Sequence, residues 1–157
     1  MKIVVIADSH GNLANLKHVM GFAKKIKAEA IVHCGDWNTL ESVETVLSFG
    51  IPLYSVLGNA DIDERIANRL QCTGKKHFDK DYLKLKIGGR KIGVIHDIKK
   101  VEIKDLDLGI IFCGHRHYKN KKFINGVNII YPGALHSIKP SFVIYETDTN
   151  KVEFIDG

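Results

Sequence analysis

Five apolar segments of this sequence each run into residues that can hold a metal ion. Residues 3–7 lead into Asp8-Ser9-His10, residues 30–34 into Gly35-Asp36, and residues 53–57 into Gly58-Asn59-Ala60-Asp61. Further on, residues 91–95 end in His96, and residues 109–113 end in Gly114-His115-Arg116-His117. If the segments are strands, these groups stand at strand carboxyl ends, the rim where loops of an open α/β sheet converge on a ligand. Glycine precedes the polar residue in three of the five, allowing a sharp turn and close backbone approach to whatever is bound. One Asp or Asn after a strand is an ordinary turn or cap residue. Five strand ends all carrying metal-competent groups make coincidence a poor explanation.

The donor set narrows the chemistry. Asp8, Asp36, His10, His96, His115, His117 and Asn59 offer two carboxylates, four imidazoles and one amide oxygen. There is no thiolate among them, which disfavours a closed structural zinc site. Mixed oxygen and nitrogen donors suit manganese, nickel, iron, zinc or cobalt. Seven ligands are too many for one ordinary catalytic ion. If one carboxylate bridges, they divide into four per ion and leave room for a shared water or hydroxide. Two such ions, roughly 3.5–4 Å apart, form the clamp used for displacement at phosphorus. The shared hydroxide then serves as the nucleophile.

The elements that must position these groups are readable from periodicity. Residues 3–7 form a continuous apolar run, suited to a strand covered on both faces. Asn12 precedes a helix with Leu13, Leu16, Val19, Met20, Ala23 and Ile26 on one stripe. Residues 30–34 form a second strand, and Asn38-Thr39-Leu40-Glu41 reads as a capping box opening a helix that Gly50 stops. Residues 53–57 form a third strand, followed by a short helix over 63–70. This βαβαβ beginning predicts a parallel sheet. The second half reads as hairpins: residues 82–87 and 91–95 around Gly88-Gly89, residues 123–124 and 127–131 around Asn125-Gly126, and residues 142–145 and 152–155 around Asp148-Thr149-Asn150. The expected fold is α/β, two packed sheets with helices outside. Without a repeat or linker, residues 1–157 read as a single domain.

Composition sets the outer bounds. The chain has 157 residues, 45% hydrophobic and 26% charged, a globular mixture. No apolar run approaches the roughly 18 residues of a membrane span. The apolar start superficially resembles a signal peptide, but Asp8 interrupts it and no small-residue cleavage site follows. A cytoplasmic protein is expected. Three cysteines without a Cys-x-x-Cys pair suggest neither a disulfide framework nor a zinc knuckle. The net charge of +5 would help attract a phosphate-bearing substrate. The lysines are scattered, with no interleaved aromatic platform, so no nucleic-acid groove and no membrane partner are expected. Self-association is left open.

The quoted residues resemble the calcineurin-like metallophosphoesterase superfamily, specifically its small single-domain phosphodiesterase branch. The resemblance spans essentially the whole chain, through Asp8-Ser9-His10-Gly11-Asn12, Gly35-Asp36, Gly58-Asn59-Ala60-Asp61, His96 and Gly114-His115-Arg116-His117. Tyr131-Pro132-Gly133-Ala134 resembles the family's late strand-ending turn. The resemblance implies that Asp8, His10 and His117 hold one metal, that Asn59, His96 and His115 hold the other, and that Asp36 bridges them. It further implies two mixed β-sheets packed as a sandwich with flanking helices (a four-layer αββα arrangement), manganese as the leading metal and a small phosphoester as substrate. Two positions depart from the pattern. Ala60 stands where the larger phosphatases carry a histidine that protonates or stabilises the phosphoryl group, pointing to the small branch. Asp97 stands where many relatives have glycine, and either orients a ligand or caps the next segment.

The remaining polar residues have plainer readings. His18, His77 and His136 are expected to be structural or surface residues, and His33 a satisfied core histidine. Asp61-Ile62-Asp63-Glu64 reads as a capping box, making Asp61 a helix cap. Asn12 is open between a cap and an active-site hydrogen bond, and Arg116 is expected to point away from a substrate. Two alternatives to the phosphodiesterase reading stand. One is a non-catalytic interaction scaffold of the same fold, like the superfamily's retromer subunit. The other is a DNA nuclease, suggested by an isoelectric point of about 9.1.

Overall fold

The computed structural model describes residues 1–103 and 108–157. In chain order the elements are β1 (Lys2–Ile6), α1 (Leu13–Lys25), β2 (Ala30–His33), α2 (Leu40–Leu47), β3 (Leu53–Ser55), α3 (Glu64–Gln71), β4 (Tyr82–Ile87), β5 (Arg90–Ile95), β6 (Ile110–Cys113), β7 (Lys119–Ile124), β8 (Val127–Pro132), β9 (Ser141–Glu146) and β10 (Lys151–Asp156). They form two five-stranded sheets, ordered β10-β9-β1-β2-β3 and β4-β5-β6-β8-β7. Each is mixed. In the first, β1, β2 and β3 run parallel, β9 pairs antiparallel with β1 and β10 antiparallel with β9; in the second, β5, β6 and β8 run parallel, with β4 and β7 antiparallel at the two edges.

The continuous apolar run at the start is buried on both sides, and alternation along the strand explains why. Val4 and Ile6 pack with Leu16, Met20, Val43 and Ile66 of the three helices. Ile3, Val5 and Ala7, with Tyr145 of the neighbouring β9, face the second sheet through Val94 and Phe112. The second sheet's other face carries Ile111, Ile129 and Tyr131 and is covered by Ile98, Val101, Ile103 and Leu108, giving a layered sandwich. Helix α1 buries Leu16, Val19, Met20 and Ala23. Each of its larger buried side chains stabilises by about 1.5–3 kcal/mol, so tertiary burial rather than propensity holds so short a helix.

Turn chemistry fixes the hairpins. Gly88 and Gly89, with φ of 54° and 74°, connect Ile87 to its cross-strand partner Arg90. Asn125 and Gly126, with φ of 50° and 82°, do the same between Ile124 and Val127. Both are two-residue turns with positive φ at each position, the class that matches strand twist. β7 is longer than the expected residues 123–124, because pairing with β8 continues back to Lys119 through polar residues. Two caps also differ from expectation. Thr39, not Asn38, caps α2 by accepting the Ser42 N–H, and Asp63, not Asp61, caps α3 by accepting the Arg65 N–H. Among the described residues no helix is long and apolar enough to cross a membrane.

Candidate metal centre

The carboxyl ends of the parallel strands in both sheets meet at one edge. The β1 loop and the β6 loop touch directly, since both carboxylate oxygens of Asp8 accept the His115 N–H at 3.1 Å. A Cβ on Gly114 would lie 2.8 Å from the Cys34 carbonyl, so the loop after β6 is pressed against that after β2. The loops after β1 and β2 are laced together as well. Asp8 N–H donates to the Gly35 carbonyl at 3.1 Å and His10 N–H to the Asp36 carbonyl at 3.0 Å.

The backbone at this edge is unusual. Asp8, His10, Asp36, His115 and His117 have φ of 53°, 41°, 62°, 70° and 54°, all left-handed. For a residue with a Cβ this conformation costs roughly 1–2 kcal/mol. Such strain persists only where surrounding structure over-determines it, and it concentrates at functional sites. Here the inter-loop hydrogen bonds supply the constraint, and the result is that five donor side chains turn inward from tight loops.

Donors stand on both sides of Asp36. One ligand atom from each of Asp8, His10, Asp36 and His117 can be chosen so that all four lie within 4.8 Å of one another. Four donors at roughly 2.0–2.2 Å from a tetrahedral ion lie about 3.3–3.6 Å apart, so the set would draw inward around a cation. On the other side, Asn59 Oδ1 lies 2.9 Å from His96 Nε2 and 3.1 Å from His115 Nδ1. Asp36 Oδ2 stands between the two groups, 3.3 Å from His10 Nε2 and 3.5 Å from His96 Nε2. His10 Nε2 is buried and, although close to Asp36 Oδ2, makes no hydrogen bond among the described residues, a state a bound cation would satisfy.

Outer partners prepare the donors. His96 Nδ1 donates to the Cys34 carbonyl at 2.9 Å, which leaves a lone pair on Nε2 facing Asn59 and Asp36. Asp36 Oδ1 accepts the Ala60 N–H at 2.8 Å, so its other oxygen is the one left for the donor groups. Burial pushes Asp8 up to about 7, against the stabilising His115 N–H and with a smaller push from neighbouring Asp36. Burial likewise holds His96 and His117 below the ordinary imidazole range. Neutral imidazoles are the form that binds metal. A buried carboxylate held up to about 7 is one whose charge would be favoured by a bound cation.

All seven expected donors are brought to this edge. His33 is a satisfied core residue, as expected. Its Nδ1 accepts the Gly35 N–H at 3.1 Å, so Nε2 donates to Ser9 Oγ at 3.0 Å, and the ring stacks on Trp37. Asn12 is the cap of α1, and Asp97 caps a 3₁₀ turn at Ile98–Lys100. Arg116 donates to the Tyr118 hydroxyl at 3.4 Å and is exposed. Two site residues escape the sequence reading. His136, expected to be structural or surface, donates from Nδ1 to the Asp8 carbonyl at 3.0 Å and sits edge-on to His10 and His117, with ring centroids 4.6 and 5.0 Å away. Asp61 binds backbone N–H groups of the site loops. Only the glycine-turn signature at Tyr131-Pro132-Gly133-Ala134 pointed towards His136.

This edge of paired sheets gathers carboxylates and imidazoles that could hold a metal ion, and the sequence places the chain in a family. The chain belongs to the calcineurin-like phosphoesterase superfamily, whose domain model matches residues 1–150. It is 22% identical over 138 residues to a phosphodiesterase of Methanocaldococcus jannaschii, covering 85% of this chain and 83% of that one. The fold superposes on an archaeal phosphodiesterase with a TM-score of 0.88 at 20% identity over 100% of both chains. It also superposes on the Escherichia coli phosphoesterase Yfce with a TM-score of 0.71 at 14% identity, over 99% of this chain and 98% of that one. Vps29 of Entamoeba histolytica, solved with zinc, aligns at a TM-score of 0.62 and 18% identity over 99% of both chains.

Proposed function

We propose that this protein hydrolyses phosphodiesters using two divalent metal ions, one held by Asp8, His10 and His117, the other by Asn59, His96 and His115, with Asp36 shared. The observation that carries this reading is the position of Asp36 Oδ2, 3.3 and 3.5 Å from imidazoles that belong to opposite donor groups. Bound divalent ions supply a nucleophilic hydroxide near neutral pH and neutralise the phosphoryl oxygens. The chain supplies orientation. Cys34 fixes the His96 tautomer, His115 N–H holds the Asp8 carboxylate, and left-handed loops aim the donors. Ala60 carries no proton to give, so the leaving oxygen takes its proton from solvent. The thiolate-free donor set favours manganese, with nickel, iron, zinc and cobalt able to replace it. The named activity of the M. jannaschii relative supports a diester substrate.

The test is turnover of a chromogenic phosphodiester by protein stripped of metal and then resupplied with Mn2+ or Ni2+. Metal-dependent turnover, lost in Asp8→Asn and His115→Ala, supports the reading. Absence of metal-dependent turnover, with both variants no worse than the parent, rejects it. Because the E. histolytica Vps29 structure itself contains zinc, metal uptake alone does not separate an enzyme from a scaffold of this fold. Turnover does.

A further inference from the structure

Asp61 lies two residues beyond Asn59, outside both donor groups, yet its carboxylate is the most heavily used hydrogen-bond acceptor at the site edge. Oδ2 accepts the Gly58 N–H at 2.8 Å and the Asp36 N–H at 3.0 Å, and Oδ1 accepts the Asn38 N–H at 2.8 Å. The reverse bond runs from Ala60 N–H to Asp36 Oδ1 at 2.8 Å. The loops after β2 and β3 are therefore clasped reciprocally, each offering a carboxylate to the other's backbone. The clasp is tight, since a Cβ on Gly58 would come within 2.5 Å of Asp36 N. Placing two carboxylates this close costs electrostatic energy that a helix cap would not require, and α3 has its own cap in Asp63.

We propose that Asp61 is a positioning residue for the metal pair. By gripping the Asp36 and Gly58 amides with one oxygen, it fixes the direction in which Asp36 presents its shared carboxylate and Asn59 its amide oxygen. This rests on the two-ion reading of the site. It predicts that Asp61 governs metal affinity without touching metal.

The test is calorimetric titration of metal-stripped protein with Mn2+, comparing the parent, Asp61→Asn and Asp63→Ala, each confirmed folded by circular dichroism. Asp61→Asn keeps the shape but turns one acceptor into a donor facing a backbone N–H. It should bind Mn2+ about 10- to 100-fold more weakly, the usual effect of losing an outer partner of metal ligands. Asp63→Ala should lower the melting temperature and leave the titration unchanged. Should Asp61→Asn not fold at the assay temperature, Asp61→Ser, which retains one acceptor, takes its place with the same expectation. Parent-like affinity in the folded Asp61 variant overturns the proposal, as does equal weakening in Asp63→Ala. A parent that takes up no Mn2+ overturns the two-ion reading itself, a result distinguishable from either.

Discussion

Adding one methyl group at Gly58 tests how closely the site is packed. In the structure a Cβ on Gly58 would stand 2.1 Å from Asp36 Oδ1 and 2.8 Å from Asp36 Cγ. Ordinary non-bonded contacts lie near 3.5–4.0 Å, so the carboxylate or the β3 loop must move by about 1 Å or more. Moving the carboxylate breaks its bond to the Ala60 N–H and withdraws Oδ2 from His10 and His96. Moving the loop carries Asn59 away instead. An overpacked methyl costs about 1–3 kcal/mol, and losing a hydrogen bond to a charged group about 1.5–3 kcal/mol. Restricting the unfolded chain returns about 0.4–1 kcal/mol, leaving a net loss of roughly 1.5–5.5 kcal/mol. Displacing a positioned group by about 1 Å costs on the order of 10²-fold in rate. Gly21, in α1 with nothing within 4 Å of its added Cβ, is the control. Gly21→Ala should gain up to about 1 kcal/mol and keep full activity. The assays are urea unfolding and diester turnover at saturating Mn2+. A Gly58→Ala variant as stable and as active as the parent would refute this packing argument.

Two further outcomes follow from burial. Asp8→Asn should abolish turnover by at least about 10²-fold, yet the metal-free variant should melt above the metal-free parent at pH 8. Burial raises Asp8 from 3.8 to about 7, so its ionised form costs the folded state up to about 4 kcal/mol, a penalty growing as pH rises between those values. The two proteins should converge near pH 4, and differential scanning fluorimetry across pH reads this directly. His33 has the opposite sign. Complete burial lowers its pKa well below 6.5, so its contribution to stability is whole above about pH 6.5 and lost as pH falls. The parent should lose stability faster than His33→Gln below that point, the extra slope approaching about 1.4 kcal/mol per pH unit roughly one unit lower. Parallel curves would contradict it.

The donors were legible in the sequence because a buried strand announces itself by an unbroken apolar run, and a charged residue at its end stands out. Asp8, Asp36, His96 and His115 each follow such a run, so their types alone carried the inference. The caps were less legible. Asn38 and Thr39 both suit an N-cap, and the choice fell to Thr39 because Asn38 takes a left-handed φ of 70° in the site loop. Asp61 and Asp63 present the same ambiguity. Asp61 is claimed by amides from a loop some 25 residues earlier, a contact with no local sequence signature. His136 was missed for a similar reason. It reaches Asp8 from the other end of the chain, across the β1–β9 pairing that closes the first sheet. Local pattern finds groups that elements deliver, and it does not find groups that long-range packing recruits.

The central claim is that seven donors hold two cations with Asp36 between them. Anomalous diffraction from crystals grown with Mn2+ measures this directly. Two peaks should appear about 3.5–4 Å apart, one contacting Asp8, His10 and His117, the other contacting Asn59, His96 and His115, each also contacting Asp36. A single peak, or peaks away from Asp36, would contradict it.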